Sequence, residues 1–598
     1  MRKTFIPARL LLASSAFAAI EFFGGAVTGA AGADVPATPA VSPAPADDSR
    51  VQPGAAPDKH GLTFTLTNTL RYEAAVRTAG QSAALVGQPF TINENDGDRA
   101  FNAGQVIGNR ADLLSELDVA GDHYGARFSG SAWYDGAYSG HDGITSALSV
   151  NEDSLPSNNF PLATTNVDGR GAQLLDAFVY GNASIGSVKA SLRAGQHALL
   201  YGETLFFGAN GIAGAMAPID IIKALSAPDA EFKEIVLPTP QLSAHFALSS
   251  NLSVGGYYQV HWRPDRLPGV GSYFSTTDIY DQGGERLLIG PVTISTPGGP
   301  MTFKNAALQR AQDEYPANGK QFGAEFRYRP PGTGLDLGAY FVQFSEKVGT
   351  PYLAPGRDAA PPTFGQYYFV YPQGIRAYGL SASKSVGDFN LAAETSLRTN
   401  QDLRSNAPDV TAGGGPHAGA PVDCAGAVVA VPVVNNTTNP CYAVGDTLHA
   451  DGSILWTLPE NFISKEGSFV AELAWQHLLR VTANPVLLDP YVTQSNSALQ
   501  FVYTPTFRRV FRRTDLDVPI SYQVGLQGTG AVLALPSGGV GNVTAGLRAT
   551  YDTATLVSLS YTHYVGPAGP LNDQQNFLSG QQTLADRDFL TFSISHSF

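Results

Sequence analysis

Cysteine is almost absent: the chain has two among 598 residues, Cys424 and Cys441. A disulfide-built scaffold is therefore excluded, because such folds are dense in cysteine. Charged residues are also sparse, at 15%, and their formal sum is −14. A net negative chain is a poor match for a phosphate backbone, so nucleic acid is not expected as a partner. Beyond residue 33 no apolar run reaches the roughly 20 residues that a membrane helix needs. That absence leaves a barrel open, since only alternate residues of a barrel strand meet lipid. The signatures G-x-S-x-G, H-E-x-x-H and the P-loop are missing as well. The chain is read as a non-enzyme without cofactor or metal.

What is plentiful is glycine (64) and aromatic residues (10%). Residues 1–33 read as a secretory signal. Arg2, Lys3 and Arg9 form its basic end, Leu10 to Ile20 its apolar segment, and Ala31-Gly32-Ala33 a cleavage site. Residues 34–60 are rich in Pro and Ala and read as a flexible leader. Residues 61–598 carry the fold.

The end of the chain shows which fold. Leu590, Phe592 and Ile594 alternate with Thr591, Ser593 and Ser595 up to Phe598. A period of two is a strand with one apolar face. The same alternation recurs throughout, as in Leu62, Phe64, Leu66, Leu70 and Tyr72 against Thr63, Thr65, Arg71 and Glu73. Short turns near 121–124, 183–187, 249–251, 330–334, 385–388, 459–466, 507–514 and 552–555 alternate with long polar connections. Transmembrane barrels have this layout, with short periplasmic turns and long external loops. The expected fold is all-β, a transmembrane antiparallel β-barrel of about 18 strands, with 16 as the alternative. Its place is the outer membrane, among lipid and lipopolysaccharide. The last strand resembles the assembly signal of such barrels. Phe592, Ile594 and Phe598 then address the barrel assembly machinery.

Parity assigns faces. Polar residues expected to face the lumen are Arg71, Glu116, Asp118, Arg127, Arg193, His197, His261, Arg263, Glu325, Arg327, Glu394, Arg398 and Arg548. A tight turn at Asp122-His123 sets Asp118 opposite Arg127. A barrel of this width cannot be filled by its own side chains, so its interior is wet or plugged. In either case lumenal Ser253, Ser396 and Ser593 should accept Arg better than their lipid-facing neighbours do.

Three stretches invite chemistry. Asn93-Glu94-Asn95-Asp96-Gly97-Asp98 suggests calcium. With Gly97 as the turn glycine, however, the first and twelfth ligand positions fall on Ile92 and Ala103, so the spacing fails and a hydrated loop is expected. His197, Tyr201 and Glu203 are close in sequence and suggest acid–base work, but a hydrogen-bonded lumenal or rim histidine is the expected reading. Cys424 and Cys441 share one external connection of an exported chain. A disulfide there would stabilise the ordered loop by roughly 3 kcal/mol.

The connection from Tyr201 to Pro240 is unusually apolar for an exposed loop. Pro218 can open a short helix carrying Ile219, Ile222 and Leu225, and Pro228 closes it. Folded into the barrel, this insert would narrow the channel through Phe206, Phe207, Met216, Ile219, Ile222 and Phe232. Asp220, Lys223, Glu231, Lys233 and Glu234 would then pair with lumenal charges or stay in water.

Several motifs resemble one proteobacterial family. They include Asn93 to Phe101, Asn109 to Asp118, Gly130 to Asp135, Leu174 to Gly181 and Tyr201 to Phe207. Ala217 to Asp220, Phe232-Lys233-Glu234, Gly271 to Ser275, Gly283 to Leu287, Gly445 to His449 and Asp586 to Phe589 follow. The family is the domain-of-unknown-function family 1302. Gly195 or Gln196, Tyr201 and Ala217 depart from its pattern. The resemblance implies an outer-membrane barrel. It tilts the expected cargo toward hydrophobic or amphipathic organic molecules. It also implies work alongside an outer-membrane lipoprotein and an inner-membrane exporter. The function expected is a channel for small molecules. The alternatives are a surface adhesion barrel acting through its loops and a lipid- or polymer-modifying barrel enzyme.

Overall fold

The computed structural model describes residues 61–598 apart from 88, 145–149, 228–229, 281, 361–362, 406–439 and 576. The expected signal, the leader and Cys424 lie outside the described residues, and the expected Cys424–Cys441 pairing lies there with them.

The chain closes into an 18-strand antiparallel barrel. In order the strands are β1 (Thr63–Arg77), β2 (Val106–Ala120), β3 (Tyr124–Asp135), β4 (Arg170–Ile185), β5 (Val188–His197) and β6 (Thr239–Ala247). Next come β7 (Leu252–Gln259), β8 (Gln321–Tyr328), β9 (Leu335–Phe344), β10 (Ile375–Val386), β11 (Phe389–Asp402) and β12 (Val444–Leu458). The circuit is completed by β13 (Glu466–Ala483), β14 (Ser495–Phe511), β15 (Thr514–Asp517 resuming as Ile520–Gln527), β16 (Gly541–Tyr551), β17 (Thr555–Val565) and β18 (Phe589–Ser597). The gap in β15 falls at Val518-Pro519, where proline has no N–H to give the ladder. Both pieces still pair with β14 and β16.

Closure is made by β1 against β18, in register from Thr69↔Ser597 to Arg77↔Phe589. Phe598 and Asn68 exchange two backbone hydrogen bonds of 2.9 Å at the seam. The short turns at 121–123, 186–187, 248–251, 329–334, 387–388, 459–465, 512–513 and 552–554 all lie at one end. The long connections all lie at the other.

Alternation sorts the faces as parity predicts. Leu66, Leu70, Leu242, Phe326, Leu547 and Phe592 are exposed on the outer wall, whereas Arg71, Glu116, Glu325, Glu394 and Arg398 are buried inside. Asp118 stands opposite Arg127, and their ion pair measures 3.2 Å. Two expectations need correction. First, β7 ends at Gln259, so His261 and Arg263 belong to the next connection and not to a lumen-facing strand. Second, the interior is packed at some sites expected to accept Arg. Ser396 and Ser593 are 2% and 1% exposed, and the Ser593 hydroxyl meets that of Ser558 on the neighbouring strand at 2.8 Å. Ser253, by contrast, borders an open cavity.

The long connections form a cap. Phe101, Tyr138, Phe160, Tyr273, Ile279, Leu308, Tyr367, Phe369, Leu571 and Phe589 belong to one buried cluster assembled from separate loops. A four-stranded sheet (Arg286–Thr296, Gly299–Arg310, Thr350–Ala360 and Thr363–Val370) stiffens it. Burial of this apolar surface pulls polar residues in as well. The loop expected to be hydrated is therefore not: Asn93, Glu94, Asn95, Asp96 and Asp98 are all buried.

Candidate functional site

The connection 198–238 enters the barrel. Its course follows from its composition. Phe206, Phe207, Ile212 and Met216 cannot stay in water, and the strands offer small apolar inward positions to receive them. Phe206 and Phe207 pack on Val470, Ala474, Ala498 and Val502 of β13 and β14. Ile212 and Met216 join Tyr257, Tyr340, Val342 and Ala377 of β7, β9 and β10.

Carboxylates on the wall then hold the backbone. Glu472 of β13 accepts from the N–H groups of Leu205, Phe206 and Phe207, the last at 3.0 Å. Glu394 of β11 accepts from Glu203 N at 2.7 Å and Ile212 N at 2.6 Å. Arg398 Nη2 donates to the carbonyls of Ala209, Asn210 and Gly211 at 2.8–2.9 Å. Asn210 reaches Asp451 at 3.0 Å, and its Oδ1 meets His449 Nδ1 at 2.9 Å. Glu203 itself pairs with Arg327 of β8 at 2.8 Å.

The second half of the segment crosses to the opposite wall. The helix Ile221–Ser226 begins at Asp220, whose side chain accepts from Lys223 N at 3.0 Å. That start is two residues later than Pro218, because the Asp cap outcompetes the proline. A second turn, Phe232–Ile235, carries Glu234 inward. Arg71 Nη2 and Lys223 Nζ both reach the Glu234 carboxylate, at 2.7 and 2.9 Å. Lys223 also lies 3.6 Å from Asp112, and Lys233 pairs with Glu116 at 2.7 Å. The segment therefore spans the lumen, tied to β8, β11, β12 and β13 at one end and to β1 and β2 at the other.

A family model described as "Protein of unknown function (DUF1302)" matches residues 12–598. The chain belongs to that family. No curated protein matches it. Among solved structures, the DUF1302 chain is similar to Pseudomonas aeruginosa OpdK with vanillate, at 8% identity over 90% of this chain and 98% of that one, TM-score 0.38. It is also similar to Acinetobacter baumannii OccAB2, at 9% over 90% and 98%, TM-score 0.38. The outer membrane channel DcaP of Acinetobacter baumannii matches at 8% over 90% and 98%, TM-score 0.33.

The structure places the residues singled out in the sequence as follows. Phe206, Phe207, Met216 and Ile222 are buried by their neighbours and face no open lumen. Ile219 is half-buried, and Phe232 is exposed. The expected apolar constriction is thus mainly the set of contacts that seats the segment. Arg71, Glu116, Arg327, Glu394 and Arg398 are brought onto the DUF1302 segment. Arg127 links Glu116, Asp118 and Asp176 along the wall. Arg193 stacks over Phe178 at 5.7 Å. Arg548 lies in β16, opposite Asp517 of β15. His197 is buried and bonds Ser243 Oγ at 2.8 Å and Gly195 O at 3.1 Å, which leaves it apart from Glu203. Cys441 is buried beside Tyr352, whose hydroxyl accepts from its N–H at 2.7 Å. Sequence reasoning missed Glu472, His449, Asp451 and Asn210. The signal was present: Thr447, His449 and Asp451 share the buried parity of β12.

Proposed function

We propose that this protein is an outer-membrane channel for small organic molecules with an apolar body, narrowed by its own inserted segment. One observation carries the reading. A closed barrel of this width cannot be filled by the side chains of its own wall, and here residues 198–238 cross the lumen, fastened by ionisable side chains from both walls. Salt-bridged contacts of this kind can be exchanged for contacts to a solute, which apolar packing alone would not allow. Long connections then face the outside and short turns the periplasm. In this reading the lipoprotein and exporter implied by the family would meet the short-turn end.

The test is conductance of the folded protein in planar bilayers, with liposome swelling alongside. Wild type is expected to give small currents. Replacing residues 205–236 by a short Gly-Ser linker is expected to raise them and to admit larger solutes. If both forms run as heat-modifiable barrels yet pass neither ions nor solutes, the channel reading fails.

A further inference from the structure

Below the inserted segment, at the short-turn end, the barrel holds a cavity of about 830 Å³. That volume suits a small organic ligand. Its walls come from β5 to β8, and its charges are mostly of one sign. Lys189, Arg193, Arg327 and Arg329 line it against one lining carboxylate, Glu325. Asp336 answers both Arg327 and Arg329, at 3.0 and 2.8 Å. Lys189 is exposed on the cavity wall. Leu199 and Tyr201 of the inserted segment also line the space, so the segment contributes an apolar and aromatic surface to it. The Tyr201 ring is fixed by Tyr340 at 5.9 Å and Tyr257 at 5.7 Å.

Arg327 belongs to two structures at once. It lines the cavity, and its Nη2 holds Glu203 at the start of the inserted segment. A guanidinium binds any carboxylate presented in plane, so an incoming carboxylate and Glu203 compete for the same donors.

We infer that this cavity is a subsite for monocarboxylates with an apolar or aromatic body, and that such a ligand loosens the inserted segment by displacing Glu203 from Arg327. The carboxylate sits between Lys189 and Arg327, and the body lies against Leu199 and Tyr201. This rests on the channel reading for its purpose, but binding can be measured without any current.

The test uses the full mature protein in detergent micelles and planar bilayers, with 3-phenylpropanoate as probe and its primary amide as the neutral control. Calorimetry is expected to show the carboxylate bound about tenfold more tightly than the amide, as one charge-assisted contact allows. Lys189→Gln, at an exposed position, should weaken the carboxylate several-fold and leave the amide unchanged. In bilayers the carboxylate should raise wild-type conductance. Glu203→Gln should conduct more without ligand and lose that response. Equal affinity for acid and amide, or no effect of Lys189→Gln, overturns the subsite even if the protein conducts. Binding as expected with no carboxylate-evoked current in a conducting barrel overturns the displacement of Glu203. Binding as expected in a barrel that never conducts supports the subsite and overturns the channel.

Discussion

Glu472 accepts from three consecutive backbone N–H groups, those of Leu205, Phe206 and Phe207. A single carboxylate thus anchors a turn that has no helix or sheet of its own. Leaving buried donors unsatisfied costs roughly 1–3 kcal/mol each. Glu472→Ala is therefore expected to leave the barrel intact and free residues 203–212. Hydrogen exchange there should accelerate at least about tenfold, which corresponds to about 1.4 kcal/mol of local stability. Unchanged protection would mean that the aromatic packing alone seats the segment. On the outer wall the expectation is simpler. Phe592→Arg should cost about 2–4 kcal/mol near the midplane in a folding titration, while Ser253→Arg, beside the cavity, should cost far less. The parity that predicts this contrast was legible, but the burial of Ser396 and Ser593 was not. Parity says which way a side chain points and nothing about what another loop has placed there.

The strands and their connections were the most legible part of the chain. Each expected turn overlaps an observed one, because period-two alternation and polar breaks are local signals. What alternation cannot show is where a strand stops once its neighbours no longer need it. β7 ends at Gln259 although Val260 and Trp262 continue the pattern, and Trp262 instead packs on Tyr371 at 4.8 Å. The inserted segment was legible as apolar and helical but not in its fastening. Its ties join groups as far apart in sequence as Leu205 and Glu472. That network gives a prediction of its own. Arg71, Lys223, Glu234 and Asp112 are buried together, two charges of each sign, so removing Glu234 leaves an excess of buried positive charge. Glu234→Ala should cost about 3–5 kcal/mol of segment stability. Removing both Glu234 and Lys223, as a Met pair, should cost less than Glu234→Ala alone. A double-mutant cycle on segment exchange rates checks this, and strictly additive losses would falsify the coupling.

Across the whole molecule the cap ties the barrel rim to the loops, and it does so through the motifs that carried the family resemblance. Arg587 is fully buried, bonds Asp98 at 2.7 Å and donates to the carbonyls of Tyr273 and Ser275. Arg77, at the end of β1, holds Asp586 at 3.1 Å and the carbonyls of Asp98 and Phe101. Three loops distant in sequence meet there, and no periodicity could have brought them together. Around this node lie acids whose environment favours the neutral form. Burial pushes Glu94 up to about 8, against the hydrogen bonds it accepts from Asn572. Burial pushes Glu152 to about 8 and Asp278 to about 7, the latter against the N–H groups of Asn95 and Asp96 that donate to it. Asp586 is pushed to about 7 by burial and by Asp98 beside it. The unfolded loops would titrate near 4. Between pH 4 and pH 8 the folded cap therefore holds more protons than the open one, so its stability falls as pH rises. Each group contributes up to about 1.4 kcal/mol per pH unit within its own window. The cap should accordingly be tighter at pH 5.5 than at pH 8. Hydrogen exchange of peptides spanning 91–101 and 272–280, corrected for the intrinsic pH dependence of exchange, measures this directly. Asp278→Asn keeps an acceptor for the two N–H groups and cannot ionise. It should flatten the slope and leave the cap more protected than wild type at pH 8. Equal or greater wild-type protection at pH 8 would mean that these carboxyls ionise inside the folded cap without cost.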